Sequence, residues 1–291
     1  MQGRPIQDAF AVWLSRTQSG FAYRETNGVA YWTIPAFTRT GLVRHGFTTR
    51  LGGVSQGVYA QLNLSFDRTF GIEETKHNYV IAAGALGIRM QDCVIVNGDH
   101  GTVSKYVTRE NAGDGFLRAY TAEDMTFDGH ITDVKGLGLI AIHADCTPVY
   151  ALDVQHQAIG LCHAGWRGTV NGMITSLISS MQERFDTDPA QLLCAIGPNI
   201  GQCCFEVHDD VAQQFDEKLA GFGGVDEAQE AGKSRVHLAH AAAFQLYRAG
   251  VRPEYTTMAH LCTCCNRHLF HSYRRDGKWG GSMGSFLQLK G

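Results

Sequence analysis

At 291 residues, with 44% hydrophobic and 18% charged side chains, the chain is long enough to bury a full core in one large domain or two small ones. Its 25 basic and 28 acidic residues leave a formal charge of −3, and no basic run exceeds Arg274-Arg275, which argues against a nucleic-acid partner or a polybasic membrane patch. No apolar stretch approaches the ~20 residues a bilayer requires, Met1-Gln2-Gly3-Arg4-Pro5 lacks a secretory pattern, and nine cysteines in a chain too long to need staples read as a reduced, cytoplasmic protein.

In chain order, the first stretch with a chemical signature is Gly46-Phe47-Thr48-Thr49-Arg50-Leu51-Gly52-Gly53-Val54-Ser55. Adjacent glycines after an arginine suit a backbone nest for an oxyanion, with Arg50 adding charge, or a plain tight turn. Val94-Ile95-Val96 reads as a strand that delivers His100 to its end. Residues 109–125 and 221–233 are polar and glycine-bearing, as surface insertions are. Between them, residues 137–142 read as a buried strand. Residues 149–152 and 158–161 then form a hairpin around the polar turn Asp153-Val154-Gln155-His156.

Residues 169–184 predict a helix, because Val170, Met173, Ile174, Leu177, Ile178 and Met181 recur at three- and four-residue steps. Residues 192–196 predict another buried strand, 207–219 and 237–248 two more helices, and 255–261 a last strand. His237 and His240 share a helix face, a pair that needs a third ligand before it holds a metal. Interleaved strands and helices, with the clearest adjacent strands in hairpins, favour a mixed α/β fold. The tail Cys262-Thr263-Cys264-Cys265-Asn266, with His268 and His271 beyond it, resembles half a zinc ribbon without its second pair of thiols. Ser272-Tyr273-Arg274-Arg275-Asp276-Gly277 looks like a turn presenting two guanidiniums.

A hairpin centred near Gln155 sets Cys146 opposite His163 at its open end. A thiolate beside an imidazole is a metal site or a Cys–His catalytic pair. Asp145 and Pro148 hold the cysteine on a constrained polar turn, and His163 opens Ala164-Gly165-Trp166-Arg167-Gly168, where Arg167 can reach an anion. His100 would complete a two-histidine, one-cysteinate zinc set with an open fourth position. His143, His130 and Asp145 compete for that place.

These motifs resemble those of the YfiH-like or laccase-domain family, also labelled polyphenol oxidase or peptidoglycan editing factor, from about Arg44 to Met283. They include Leu62-Asn63-Leu64-Ser65, Ala144-Asp145-Cys146, His163-Ala164-Gly165-Trp166-Arg167-Gly168, Ile196-Gly197-Pro198, Cys203-Cys204-Phe205-Glu206-Val207 and Ser272-Tyr273-Arg274-Arg275-Asp276-Gly277. The resemblance implies a mixed-sheet, layered α/β/β/α sandwich, read here as a single catalytic domain over residues 31–291 behind an N-terminal extension, 1–30. It implies zinc on His100, Cys146 and His163, and a homodimer. It also implies phosphorolysis of adenosine, inosine and methylthioadenosine, with adenosine deamination as a companion activity and copper-dependent phenol oxidation as the older label. The chain departs from the family pattern at Gly98, His130, His271 and Ser282.

On the nucleoside reading, zinc lowers the pKa of its water to about 7. Arg50, Arg167 and Arg274 are the expected phosphate-binding residues, and Asp145 or Glu206 the acid–base group. A metal-free amidase with Cys146 as nucleophile and His163 as base, editing a cell-wall precursor, is the alternative. A multicopper laccase fits poorly, since its copper cluster draws on His-x-His pairs and the chain has none.

Overall fold

The computed structural model describes residues 3–96, 98–120, 126–228 and 230–291. Two large mixed sheets stack face to face. The first has seven strands, in the order Gln18–Ser19, Thr256–Met258, Leu193–Ile196, Thr147–Asp153, Ala158–Ala164, Phe127–Thr132 and Val103–Tyr106. The second has six: Ala22–Thr26, Val29–Thr33, Val43–Thr48, Met283–Leu289, Gly138–His143 and Cys93–Ile95.

Strand side chains alternate between faces, and here both faces are buried, which explains the near-continuous apolar runs. In Thr147–Asp153, Val149 and Ala151 pack toward helices, while Tyr150 and Leu152 pack toward the second sheet. In Ala158–Ala164, Cys162 and Ala164 face the helices and Ile159 and Leu161 face the other sheet. From that sheet come Leu139, Ala141, Leu287 and Leu289 to close the central core. Helices Trp166–Val170, Met173–Phe185 and Leu238–Arg248 cover the outer face of the seven-stranded sheet, and Ile72–Ala85 covers the six-stranded one. The result is the layered α/β/β/α sandwich expected. No helix of the described residues is long and apolar enough to cross a membrane.

Several local expectations shift. The helix read over 169–184 is two: Trp166–Val170 and Met173–Phe185, separated at Asn171-Gly172, where Gly172 adopts φ +98°. The left-handed turn re-aims the chain while keeping Met173, Ile174, Leu177, Ile178 and Met181 fully buried. Residues 206–208, read partly as helix, pair with Lys233–Val236 and Val225–Glu227 in a small third sheet, and the helix begins at Asp209. Thus 221–233 contributes a strand, apart from residue 229, which lies outside the described residues. The 109–125 segment is similarly engaged: Phe116 packs against the outer core of the six-stranded sheet and Tyr120 donates to Ile95 O at 2.6 Å; residues 121–125 lie outside the described residues. Within 1–30, Phe10 meets Phe244 edge-on at 5.1 Å, Trp13 Nε1 donates to Val251 O, and Gln18–Ser19 joins the first sheet.

Candidate functional site

The Gly138–His143 strand belongs to one sheet and Thr147–Asp153 to the other, so Ala144-Asp145-Cys146 carries the chain across the sandwich at its rim. Asp145 makes this crossing with φ +87°. In the hairpin, His163 pairs with Pro148 and Ala164 with Thr147, which leaves Cys146 just past the open end. The turn centre lies half a residue beyond Gln155, so the register expected from sequence holds closely enough to bring the two together. His100 arrives because Cys93–Ile95 runs parallel to Gly138–His143, so the loop after it emerges at the same rim as Cys146.

One ligand atom each from His100, Cys146 and His163 lies within 4.8 Å of the others, and His100 Nε2 is 3.8 Å from Cys146 Sγ. Donors around a tetrahedral zinc stand about 3.3–3.8 Å apart, so the set fits such an ion after a small contraction. His163 is buried, Cys146 half-buried and His100 exposed, which leaves one side open to solvent. Gly165 makes the cluster possible. A Cβ there would lie 2.3 Å from His100 Cδ2 and 3.2 Å from Cys146 Sγ.

Asp128, fully buried, organises the histidines. Its Oδ1 accepts from His163 Nδ1 and from the His100 backbone N–H, each at 3.0 Å, and its Oδ2 accepts from Gly101 N at 2.5 Å. One carboxylate therefore turns His163 Nε2 toward Cys146 and fixes the loop that presents His100, an arrangement common around metal-ligating histidines. Burial raises the cost of its charge, but His163 and the two backbone donors outweigh it and hold the carboxyl below its ordinary range. Burial likewise opposes a thiolate at Cys146, yet His163 and His100 bring that thiol down to about 6. For His163, burial is overcome by Cys146 and Asp128, which lift its imidazole to about 10. Each group thus favours the charged form of the other.

The competing third ligands sit otherwise. His143 Nε2 is bonded to Ser285 Oγ at 2.8 Å, and its ring packs 5.4 Å from that of His163. His130 lies opposite Leu161 inside the first sheet. Asp145 turns its carboxylate away from the triad, accepting from Thr263 Oγ1 at 2.5 Å, Ser272 Oγ at 2.9 Å and Arg274 N at 2.6 Å. Glu206 is paired with Lys233 at 3.4 Å and Arg235 at 3.9 Å.

The arginines divide. Arg167 is exposed and stacks on Trp166 with its guanidinium carbon 4.4 Å from the ring centroid. Arg274 donates to Cys204 O and Glu206 O, and Arg50 to Ala60 O and Arg267 O, so both brace loops. Arg50 also lines a cavity of about 370 Å³ with Asp276 and Trp279. Of the two readings of 46–55, oxyanion nest or tight turn, the hydrogen bonds favour the turn, because the N–H groups of Arg50, Leu51, Gly52, Val54 and Ser55 all have acceptors within the protein.

Two residues escaped the sequence reading. Asp128 opens Asp128-Gly129-His130-Ile131-Thr132, a stretch that follows the family pattern apart from its substitutions, yet nothing in that strand gave the carboxylate a role. Arg68, between Asp67 and Thr69, lies in the field of Asp145 and Cys146; its Nη2 donates to Ser282 Oγ at 2.6 Å while its Nη1 is buried without a partner.

Among known proteins, residues 44–290 match the family described as "Multi-copper polyphenol oxidoreductase laccase". The chain is 33% identical over 247 residues to "Purine nucleoside phosphorylase YlmD" of Geobacillus stearothermophilus, covering 83% of this chain and 88% of that protein. A "Purine nucleoside phosphorylase" of Deinococcus radiodurans is also 33% identical over 247 residues, covering 85% and 89%. Among solved structures, YlmD of G. stearothermophilus superposes with a TM-score of 0.84 at 29% identity, covering 93% of this chain and 99% of that one. The Bacillus licheniformis hypothetical protein YfiH superposes with 0.83 at 30%, covering 92% and 99%.

Proposed function

The chain belongs to the YfiH-like, laccase-domain family, and from that membership we propose that it is a zinc-dependent purine nucleoside phosphorylase. Its substrates on this reading are adenosine, inosine and methylthioadenosine, with adenosine deamination as a companion activity. The observation that carries it is the convergence of His100, Cys146 and His163 on one solvent-open point, in a chain whose relatives are named purine nucleoside phosphorylase. His100, Cys146 and His163 are the metal ligands, and a zinc held there supplies a Lewis acid.

The remaining work falls to the chain. Asp128 holds the proton on His163 Nδ1 and thereby directs Nε2 toward the ligand cluster. In phosphorolysis a phosphate oxygen bonds to the ribose C1′ as the bond from C1′ to the base nitrogen breaks. The base departs with the bonding pair and takes up a proton. Arg167 and Arg68 are the residues best placed to hold the phosphate: one carries an exposed guanidinium on the short helix Trp166–Val170 that follows His163, the other a buried N–H without a hydrogen-bond partner, in the field of Cys146. Charge-assisted bonds to phosphate favour guanidinium over ammonium.

The test pairs metal analysis with an adenosine-plus-phosphate assay on wild type and Cys146→Ala. About one triad-bound zinc, lost in the variant together with phosphate-dependent adenine release, supports the reading. Wild type that releases no base in the presence of phosphate, whatever its metal content, refutes it.

A second reading draws on the same geometry. Asp128, His163 and Cys146 form a carboxylate–imidazole–thiolate series, the layout of a cysteine hydrolase. It leaves His100 without a task. Rapid alkylation of Cys146 in the zinc-replete protein would favour it, because a ligating thiolate is shielded. Phenol oxidation by copper-loaded protein is a useful control, since a histidine–cysteinate set also binds copper.

A further inference from the structure

A second cluster of metal-binding side chains lies outside the triad, and the half-ribbon motif of the tail finds its missing partners there. The strands Leu193–Ile196 and Thr256–Met258 are parallel neighbours, with Cys194 opposite Thr256 and Ile196 opposite Met258. The loops that follow them therefore leave the sheet at the same end. They are laced together by Asn199 N to Leu261 O at 3.2 Å and Thr263 N to Asn199 O at 3.0 Å. This brings Cys203 and Cys204 of one loop to Cys262 and Cys265 of the other, with all four sulfurs within 4.8 Å of one another. Cys203 and Cys204 each place Sγ 3.4 Å from Cys265 Sγ.

We propose that Cys203, Cys204, Cys262 and Cys265 form a closed tetrathiolate zinc site that ties the two loops together. Sulfurs around a tetrahedral zinc at about 2.3 Å stand about 3.8 Å apart, a spacing above the shortest separations here and inside the 4.8 Å that bounds the cluster. Cys262-Thr263-Cys264-Cys265 has the C-x-x-C spacing of a metal knuckle. Its first sulfur also accepts two backbone N–H groups, from Gly201 at 3.2 Å and from Cys265 at 3.5 Å. Such donors are aimed at a sulfur that carries negative charge. Cys264, between the two ligands, packs against the core over the first sheet and reaches the Cys204 thiol from the flank, outside the four-sulfur set. Four thiolates select zinc over harder cations, and with no position left for water the site is structural.

The surroundings match the charge such a site carries. Arg274 donates to Cys204 O, and Arg275 donates to Thr263 O and Cys264 O, so two guanidiniums brace the two loops. The segment held in this way also supplies Thr263, Ser272 and Arg274 N to the Asp145 carboxylate, next to Cys146. The zinc would act at the triad only through that wall, as a positioning element. The proposal does not depend on the phosphorylase reading.

The experiment measures metal content and cobalt spectra of the full chain, purified under reducing conditions, as wild type, Cys146→Ala and Cys262→Ser. About two zinc ions per chain are expected in wild type and about one in Cys146→Ala. Cobalt-exchanged Cys146→Ala should show the intense sulfur-to-cobalt charge-transfer bands of a four-thiolate site, and Cys262→Ser should lack them. The Cys146→Ala spectrum leaves all four thiols intact, so it decides the matter even where Cys262→Ser fails to fold. Metal-free Cys146→Ala with four readily titrated thiols would overturn the proposal. So would a non-reduced mass lower by one or two pairs of hydrogens, which would show that these cysteines pair as disulfides.

Discussion

Asp128→Asn isolates the group that orients both histidines. The carboxylate accepts three hydrogen bonds, two at Oδ1 from His163 Nδ1 and His100 N, and one at Oδ2 from Gly101 N. An asparagine that keeps its carbonyl on the Oδ1 side must turn its NH2 toward the Gly101 N–H, donor against donor. A hydrogen bond to a charged group contributes about 1.5–3 kcal/mol, and the unmatched Gly101 N–H adds a desolvation cost of about 1–3 kcal/mol. Stability should therefore fall by roughly 2.5–6 kcal/mol. The distortion is centred on the 98–101 loop, so His100 loses its fixed position. Metal affinity should weaken about 10- to 100-fold, as when other outer-shell carboxylates are removed. Chelator competition reads the affinity, and urea unfolding of metal-free protein reads the stability. A variant that loses stability yet keeps wild-type zinc affinity would refute the positioning role, leaving Asp128 as a buried structural acceptor alone.

Further expectations follow from the same geometry. Gly165→Ala puts a Cβ against His100 and Cys146; phosphorolysis and triad-bound metal should drop at least about tenfold while circular dichroism stays native, since the change crowds a ligand at the rim and not the core. Full activity in this variant would show that the loop opens freely. Arg68→Ala should raise KM for phosphate more than it lowers the affinity for nucleoside, and Arg68→Lys should restore only part of it; equal effects on both substrates would remove Arg68 from the phosphate site. Acid stability should be governed by histidines buried in the neutral form. Burial, opposed by the Ile34 backbone and reinforced by Lys290, lowers His45 to about 4, while burial with Arg50 and Arg68 lowers His271 to about 3. The unfolded chain takes up protons at these positions near pH 6.5 and the folded chain does not, so stability falls as pH drops below ~6.5, by up to ~1.4 kcal/mol per pH unit for each group. The raised His163 acts in the opposite window, above pH 6.5. Urea unfolding that gives the same stability at pH 6.5 and pH 5 would sink this account.

Much of the molecule was legible in its sequence because strand alternation and helix stripes are local. The hairpin register alone joined Cys146 to His163, since both sides of that pair lie within one turn of chain. Where the reading stopped, the cause was sheet order. Nothing in Phe127–Thr132 signals that it runs beside Ala158–Ala164, so Asp128 could not be matched to His163. Cys203-Cys204 and Cys262-x-x-Cys265 likewise look unrelated until Leu193–Ile196 and Thr256–Met258 are known to be neighbours. The split of the 169–184 helix had a visible signal in Gly172, which the strength of the apolar stripe masked. Arg68 offered none.

The position of the triad follows from a constraint of the architecture. A four-layer sandwich buries both faces of each sheet, so side chains inside it are enclosed, and polar groups there must be paired. A reactive cluster can form only where the chain leaves one sheet for the other. The Ala144-Asp145-Cys146 crossing is such a place, and it needs support because Asp145 adopts a left-handed conformation that residues other than glycine rarely take. That support comes from the Asp145 carboxylate itself, through Thr263, Ser272 and the Arg274 N–H. Asp145, read from sequence as one of two acid–base candidates, thus has its carboxylate engaged in bracing the turn. Its charge is matched by donors from the very segment that the proposed tetrathiolate site would fix, so the triad depends on a wall assembled from the far end of the chain.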